Sequence, residues 1–272
     1  MKGHNIRLLA ILLLFGILLC GCGLQNHVYT ETGLKKVAEK LLHKKYNEEF
    51  VIHNVWSKNQ DVFYADCSPK NNAEIVFRAD IYKNGKGVEA DGYKKTILEG
   101  EINRKLKPYF EDVFGNCYTR VLLGMSYEGG GKIDENQPID VQIKEYFNKY
   151  SSYIVCDIYV EMQDISKCDL ETEYEFLRST LLEKIQSDIC PDINPDLKVN
   201  LRFVDEEMLE KSENYFQNST GVRGDFDWEL RKYQEIICVY EDGNIDMEYK
   251  EYREKRLLYK EYEELRNKKK EE

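Results

Sequence analysis

Ile75-Val76-Phe77-Arg78-Ala79-Asp80-Ile81-Tyr82-Lys83-Asn84-Gly85-Lys86-Gly87-Val88-Glu89-Ala90 is the stretch on which the fold turns. Ile75, Phe77, Ala79 and Ile81 alternate with polar or mixed residues, the period of a strand buried on one face. Asn84-Gly85 favours the left-handed backbone of a tight turn, so a short strand should return from Gly87 to Ala90. Upstream, Phe50 to Trp56 and Val62 to Cys67 are rich in β-branched and aromatic residues and read as two more strands. Before them, Leu34, Val37, Ala38, Leu41, Leu42 and Tyr46 recur at helical spacing, with Thr32 as the expected N-cap. After them, Tyr93, Ile97, Ile102, Leu106, Tyr109, Phe110 and Val113 mark a longer helix. Pro108 should break or kink it near Lys107, and Gly115 should close it. Cys117 to Tyr127 then reads as a strand, making a first helix-on-sheet unit.

Glu128-Gly129-Gly130-Gly131-Lys132, followed by polar residues to Pro138, has the composition of a flexible linker. Beyond it the order of elements partly restarts. A helix uses Ile143, Tyr146, Phe147 and Tyr150, and a strand from Tyr153 to Met162 sets Ile154, Cys156, Ile158 and Val160 on one face. A helix near 170–189 carries Leu170, Tyr174, Leu177, Leu181, Ile185 and Ile189, and Leu197, Val199, Leu201 and Phe203 alternate as another strand. Gln234–Tyr240 and Ile245–Tyr249 flank Asp242-Gly243-Asn244, a hairpin signature. The expected class is α+β: two small helix-on-antiparallel-sheet units with a charged C-terminal helix. The bounds are 31–127 for the first unit, 128–138 for the linker, 139–250 for the second, and 251–272 for a solvated helical tail.

The first 22 residues carry an address. Lys2 and Arg7 precede 13 apolar or small residues, Leu8 to Cys20, a run suited to a signal-peptide core and short for a bilayer span. The run ends Leu19-Cys20-Gly21-Cys22. This ending resembles the lipobox of bacterial lipoprotein precursors, with Leu19 three residues before the cysteine and Gly21 immediately before it. Cys20 departs from the usual pattern, in which Ala, Ser, Thr or Val is more common. The resemblance covers residues 1–22 alone. It implies cleavage between Gly21 and Cys22, a diacylglyceryl group on the Cys22 sulfur, and residues 22–30 as a lipidated tether. It also implies a cell-membrane location facing outside the cytoplasm. The competing expectation is an uncleaved helix of 17 residues ending at Leu24. Either way, the basic residues ahead of the core keep the N-terminus inside and place the rest outside.

Cleavage takes the net charge from −11 to −13, by removing Lys2 and Arg7. That acidity argues against a nucleic-acid partner and against a patch held to anionic lipid. Cys67, Cys117, Cys156, Cys168, Cys190 and Cys238 form an even set that an oxidising compartment could pair. Several of them lie in apolar runs, where a buried thiol is an ordinary core residue, so both states stay open.

Motifs that carry chemistry are scarce. His27, His43 and His53 have no metal-ligand spacing, and neither a zinc-protease nor a serine-nucleophile motif occurs. Gly129-Gly130-Gly131-Lys132 superficially resembles a phosphate loop, but its first glycine is misplaced and Ile133 stands where Ser or Thr would hold magnesium. Asp242, Asn244, Asp246 and Glu248 could offer oxygens to calcium, although a turn already explains them. Carboxylate pairs of the glycosidase kind are defined in space and cannot be read here. The 20 tyrosines suit either strands or a recognition surface, and joint exposure of Tyr153 and Tyr159 would favour the second. The expectation is therefore an anchored, non-catalytic binding module for a protein, peptide or cell-wall ligand, with no catalytic residue, cofactor or metal. The alternatives are an anchored wall hydrolase and a transport-linked solute-binding lipoprotein.

Overall fold

The computed structural model describes residues 29–124, 131–150, 153–163, 167–189, 191, 196–218, 233, 235–241 and 244–257. Helix α1 (Glu31–Tyr46) is capped two residues earlier than expected: Thr30, not Thr32, is the cap, its hydroxyl accepting from the Gly33 amide at 3.2 Å. Thr30 is extended, which aims its side chain back over the first turn, whereas Thr32 already lies within the helix. Asn47 closes α1 in the left-handed region with its amide on the His43 carbonyl.

Strands β1 (Phe50–Ser57), β2 (Val62–Pro69), β3 (Phe77–Tyr82) and β4 (Val88–Asp91) form an antiparallel meander in sequence order, with the 84–85 turn where the dipeptide placed it. Leu34, Ala38, Leu42 and Tyr46 of α1 pack on Phe50, Ile52, Phe63, Ala65, Cys67, Phe77, Ala79 and Ile81.

Helix α2 (Tyr93–Phe114) runs through Pro108 without a break. Leu98, Ile102, Leu106, Phe110 and Phe114 keep one stripe buried on both sides of the proline, and that burial outweighs the lost amide. Pro108 itself is exposed. Pro108→Ala should therefore stabilise the protein by about 1–2 kcal/mol, read as a higher denaturant midpoint. An unchanged or lower midpoint would mean that the ring is needed where it sits.

The second sheet runs β5-β6-β7-β8-β9: β5 (Cys117–Leu123), β6 (Tyr153–Glu161), β7 (Asp196–Val204), β8 (Glu235–Glu241) and β9 (Asn244–Ile245). Two expectations change here. First, β5 pairs with β6, and α2 packs into the core of this sheet, so sheet membership divides the chain before α2 and not at the glycines. The alternation that marks β5 as a strand says nothing about which sheet receives it. Second, β6 and β7 are parallel, joined by a helical crossover: α4 (Leu170–Glu175), a π-helical turn (Phe176–Thr180) and α5 (Leu181–Asp188). The π turn leaves the Leu177 carbonyl to the Tyr240 hydroxyl. The other pairs are antiparallel, and the protein is α+β, helices on two antiparallel-dominated sheets.

Residues 131–138 are pinned, unlike a free linker. Gln142 of α3 (Ile139–Tyr150), 1% exposed, accepts from the Asp134 amide and donates to the Asp134 and Gln137 carbonyls. Lys132 meets the Glu48 carboxylate at 3.3 Å and the Tyr46 carbonyl at 3.1 Å. Glycines 129–130 fall outside the described residues. So does Tyr127, the expected end of β5.

The tail also differs. A helix, α7, begins at 249, cutting the expected 245–249 strand to Asn244–Ile245. Tyr252 and Arg256 are buried in the second core, so residues 249–257 belong to the fold and are not a solvated helix. Helix α6 (Glu206–Asn218) lies on the opposite face of this sheet, with Met208 and Leu209 against Tyr159 and Val204.

Candidate functional site

Strict alternation from Phe50 would turn Trp56 into the core, on the same face as Phe50 and Ile52. A β-bulge at His53 prevents this. Ile52 faces Cys67, Asn54 faces Asp66, and the extra residue between them reverses the faces that follow. Val55 then points inward opposite Ala65, while Trp56 points outward opposite Tyr64. The His53 ring nitrogen Nε2 meets the Ser68 hydroxyl at 2.8 Å and holds the bulge to β2.

The outer face so formed carries two aromatic rings and a guanidinium in mutual contact. The Trp56 and Tyr64 rings are 5.5 Å apart and tilted by 44°. The Arg78 guanidinium lies 4.8 Å from the first ring and 5.2 Å from the second. Asp66 stands 3.8 Å from Arg78, and Lys58 binds Asp80 at 2.7 Å and Glu89 at 3.0 Å. The hydrogen bond to Asp80, then that to Glu89, raises the Lys58 ammonium above its usual range, so the cation is permanent at neutral pH. Both described helices that meet this sheet, α1 and the start of α2, do so from the other face. Trp56, Tyr64 and Arg78 are all half-buried, which fixes their positions and leaves an edge of each in water. Trp, Tyr and Arg are the residues on which binding energy concentrates when a partner removes that water.

The groups that could have carried chemistry are held in structural bonds. Each buried carboxylate among the described residues faces a cation or a donor: Asp66 pairs with the Arg78 cation at 3.8 Å, Asp80 with Lys58, Asp91 with Tyr46 and Lys45, Asp157 with Asn200, Glu173 with Tyr252 and Arg256. Burial raises the Glu99 carboxyl, and Lys95 and the Leu123 amide, which donates to it at 2.7 Å, offset only part of that rise. Cys67, Cys117, Cys156 and Cys238 are buried thiols in reduced form. Burial pushes the Cys117 and Cys238 thiols up to about 12 and raises the Cys67 and Cys156 thiols as well, away from the thiolate that reacts. Cys168 is half-buried, and Cys190 lies outside the described residues.

The remaining sequence candidates do not converge. His43 Nδ1 meets the Glu48 carbonyl. Asp246 accepts the Val239 amide as part of the hairpin, with Asp242 outside the described residues. Among the described residues, no group of three or more His, Cys, Asp or Glu is placed to hold a metal. Tyr153 and Tyr159 are not exposed together, because α6 buries Tyr159, whose hydroxyl accepts from Arg202 at 3.0 Å. Gly21, Cys22 and His27 also lie outside the described residues. No described helix is long and apolar enough to cross a membrane.

Two sheets of four and five strands, joined by α2, set the frame for a comparison. The arrangement has a solved counterpart. The crystal structure of a DUF5037 family protein from Ruminococcus gnavus ATCC 29149 superposes with a TM-score of 0.57, covering 82% of this chain and 98% of that one. Residues 92–272 make up only about two thirds of the sequence, so the likeness takes in both sheets. At 16% identity it is a likeness of fold. No family model matches the sequence. No curated protein matches it either.

Proposed function

We propose that the protein is a membrane-anchored extracytoplasmic lipoprotein that acts by binding, through the Trp56–Arg78–Tyr64 face, a protein, peptide or cell-wall ligand. The observation that carries the anchor is the ending Leu19-Cys20-Gly21-Cys22 behind a basic start and an apolar core. Two acyl chains, each buried methylene contributing about 0.8 kcal/mol, hold a protein stably where one is marginal. Binding is favoured over turnover because the buried carboxylates and thiols are committed to structure, while aromatic rings and a guanidinium are committed to a surface.

Cys22→Ala tests the anchor. The wild-type chain should lose residues 1–21, gain the mass of a diacylglyceryl group and sediment with membranes; the variant should remain an unacylated precursor or be released. Equal mass and equal retention in both would end the lipoprotein reading. The face is tested by a thermal-shift screen against sugars, wall fragments and peptides, repeated with Trp56→Ala. A ligand present at 100 times its dissociation constant adds about 2.7 kcal/mol, enough to move the midpoint by several degrees. Trp56→Ala should weaken the hit at least about tenfold. A hit that survives the substitution unchanged places binding elsewhere.

A further inference from the structure

The charge of this chain is not spread evenly. Residues 31–91, which form α1 and the first sheet, contain ten Lys or Arg and ten Asp or Glu, a net charge of zero. Residues 92–272 contain 27 and 40, so the whole −13 of the exported chain sits in the second part. The chain enters the first sheet unit at α1, whose last residues lie beside Phe50 and Asp91. From there α1 packs along β1, and its 16 residues span about 24 Å, so its start lies near the opposite end of the sheet. That end carries the β1–β2 and β3–β4 turns. The turns are joined: Lys83 donates to the Ser57 hydroxyl at 2.9 Å and to the Asn59 carbonyl at 2.6 Å. Lys86 is exposed, its ammonium 4.1 Å from the Tyr82 ring. Lys36 is exposed on the second turn of α1. Glu31 is met by Lys35, while Asp80 and Glu89 share the single Lys58, so Lys36, Lys83 and Lys86 stand against Asp61 and one further carboxylate, a surplus of one positive charge at this end.

We propose that this end of the first sheet docks on anionic phospholipid headgroups, so that the domain stands on the membrane with its acidic part outward. The inference rests on the anchor reading above. Residues 23–30 reach at most about 28 Å when fully extended, so the tether lets this end touch the bilayer and keeps the start of α1 within that distance of it. Near a negative surface, the lysine-bearing end is drawn in and the acidic part pushed away, and both forces fade within a Debye length of about 8 Å. A whole-chain net charge hides this, because it averages a neutral region with a strongly acidic one.

The test is hydrogen exchange on the full-length acylated protein, reconstituted in vesicles of phosphatidylcholine alone or with roughly a third phosphatidylglycerol. Amides of residues 57–62 and 82–88 should exchange about fivefold more slowly in the anionic vesicles. High salt should erase that difference, and so should Lys36→Glu with Lys86→Glu, two exposed positions whose replacement leaves the turn hydrogen bonds in place. Equal exchange of the acylated protein in the two vesicles overturns the docking and leaves the anchor standing. A chain whose mass shows no diacylglyceryl group overturns the anchor, and the docking falls with it.

Discussion

Arg256→Ala is expected to destabilise the protein by about 3–5 kcal/mol, the cost of leaving a buried charge without its partner. The Arg256 guanidinium donates to both oxygens of Glu173, Nε at 2.9 Å and Nη2 at 2.8 Å, and lies 3.9 Å from the Phe203 ring. Both side chains of the pair are 5% exposed. With the cation gone, Glu173 keeps one side-chain donor, the Tyr252 hydroxyl at 2.6 Å, inside an apolar core. For a chain of this size the thermal midpoint should fall by about 10 °C. Arg256→Met combined with Glu173→Leu removes both charges and should recover most of the loss, since a buried pair is often worth no more than apolar residues of similar volume. A loss below about 1 kcal/mol for Arg256→Ala would mean that residues 249–257 hang in water after all.

Asp91→Ala should cost about 3 kcal/mol. Its carboxylate closes the joint between α1, β4 and α2, accepting from Tyr46 Oη at 2.6 Å, Lys45 Nζ at 2.6 Å and the Tyr93 amide at 3.1 Å. Alanine leaves a buried phenol and a buried amide with nothing to donate to, each at about 1–3 kcal/mol. Asp91→Asn retains an acceptor and should cost less, about 1–2 kcal/mol. Burial first, then the Asp91 charge, raises the Tyr46 phenol far above its ordinary value, so it remains a donor at any pH the fold survives. Equal destabilisation by the two variants, measured by urea titration, would show that the charge and not the acceptor holds the joint.

Local pattern carried a good deal of the fold. The alternation of Phe77, Ala79 and Ile81, the Asn84-Gly85 turn, and the runs at 117–123, 153–161 and 196–204 each became strands with the expected face inward. Helix α1 buries the centre of the stripe that its spacing marked, and α2 buries Tyr93, Ile102, Leu106 and Phe110 of its own, with Leu98 and Phe114 inward where Ile97, Tyr109 and Val113 are half-buried. Where local rules were read too strictly, they failed. The Pro108 rule weighs one lost amide bond, about 3 kcal/mol, against nothing, whereas the folded helix sets five buried apolar residues against it. The charge pattern of 251–272 suggested a solvated helix, and Arg256 was counted among its charges; only Glu173, 83 positions earlier, makes its burial tolerable.

The candidate site was less legible than the fold. Trp56 sits in a run that alternation alone would send inward, and the sequence around His53 carries no mark of a bulge. Arg78 reads as the polar member of an alternating strand, with no hint of the two rings it meets 22 and 14 residues earlier. Gln142 gave no signal that it would clamp residues 134–137.

By itself the sequence marked most of the strands and helices, though not α6, the apolar side of most of them, and the export and anchoring expectation at Cys22. Those are short-range properties: a periodicity, a turn dipeptide, a run of side chains read in order. The tertiary structure alone decided that β5 leaves the first sheet for the second, that β6 and β7 run parallel, that Trp56 faces water and that Arg256 does not. The reason is physical. Strand pairing and charge burial draw their free energy from groups far apart in the chain, and that energy exists only once the backbone has brought them within hydrogen-bond distance.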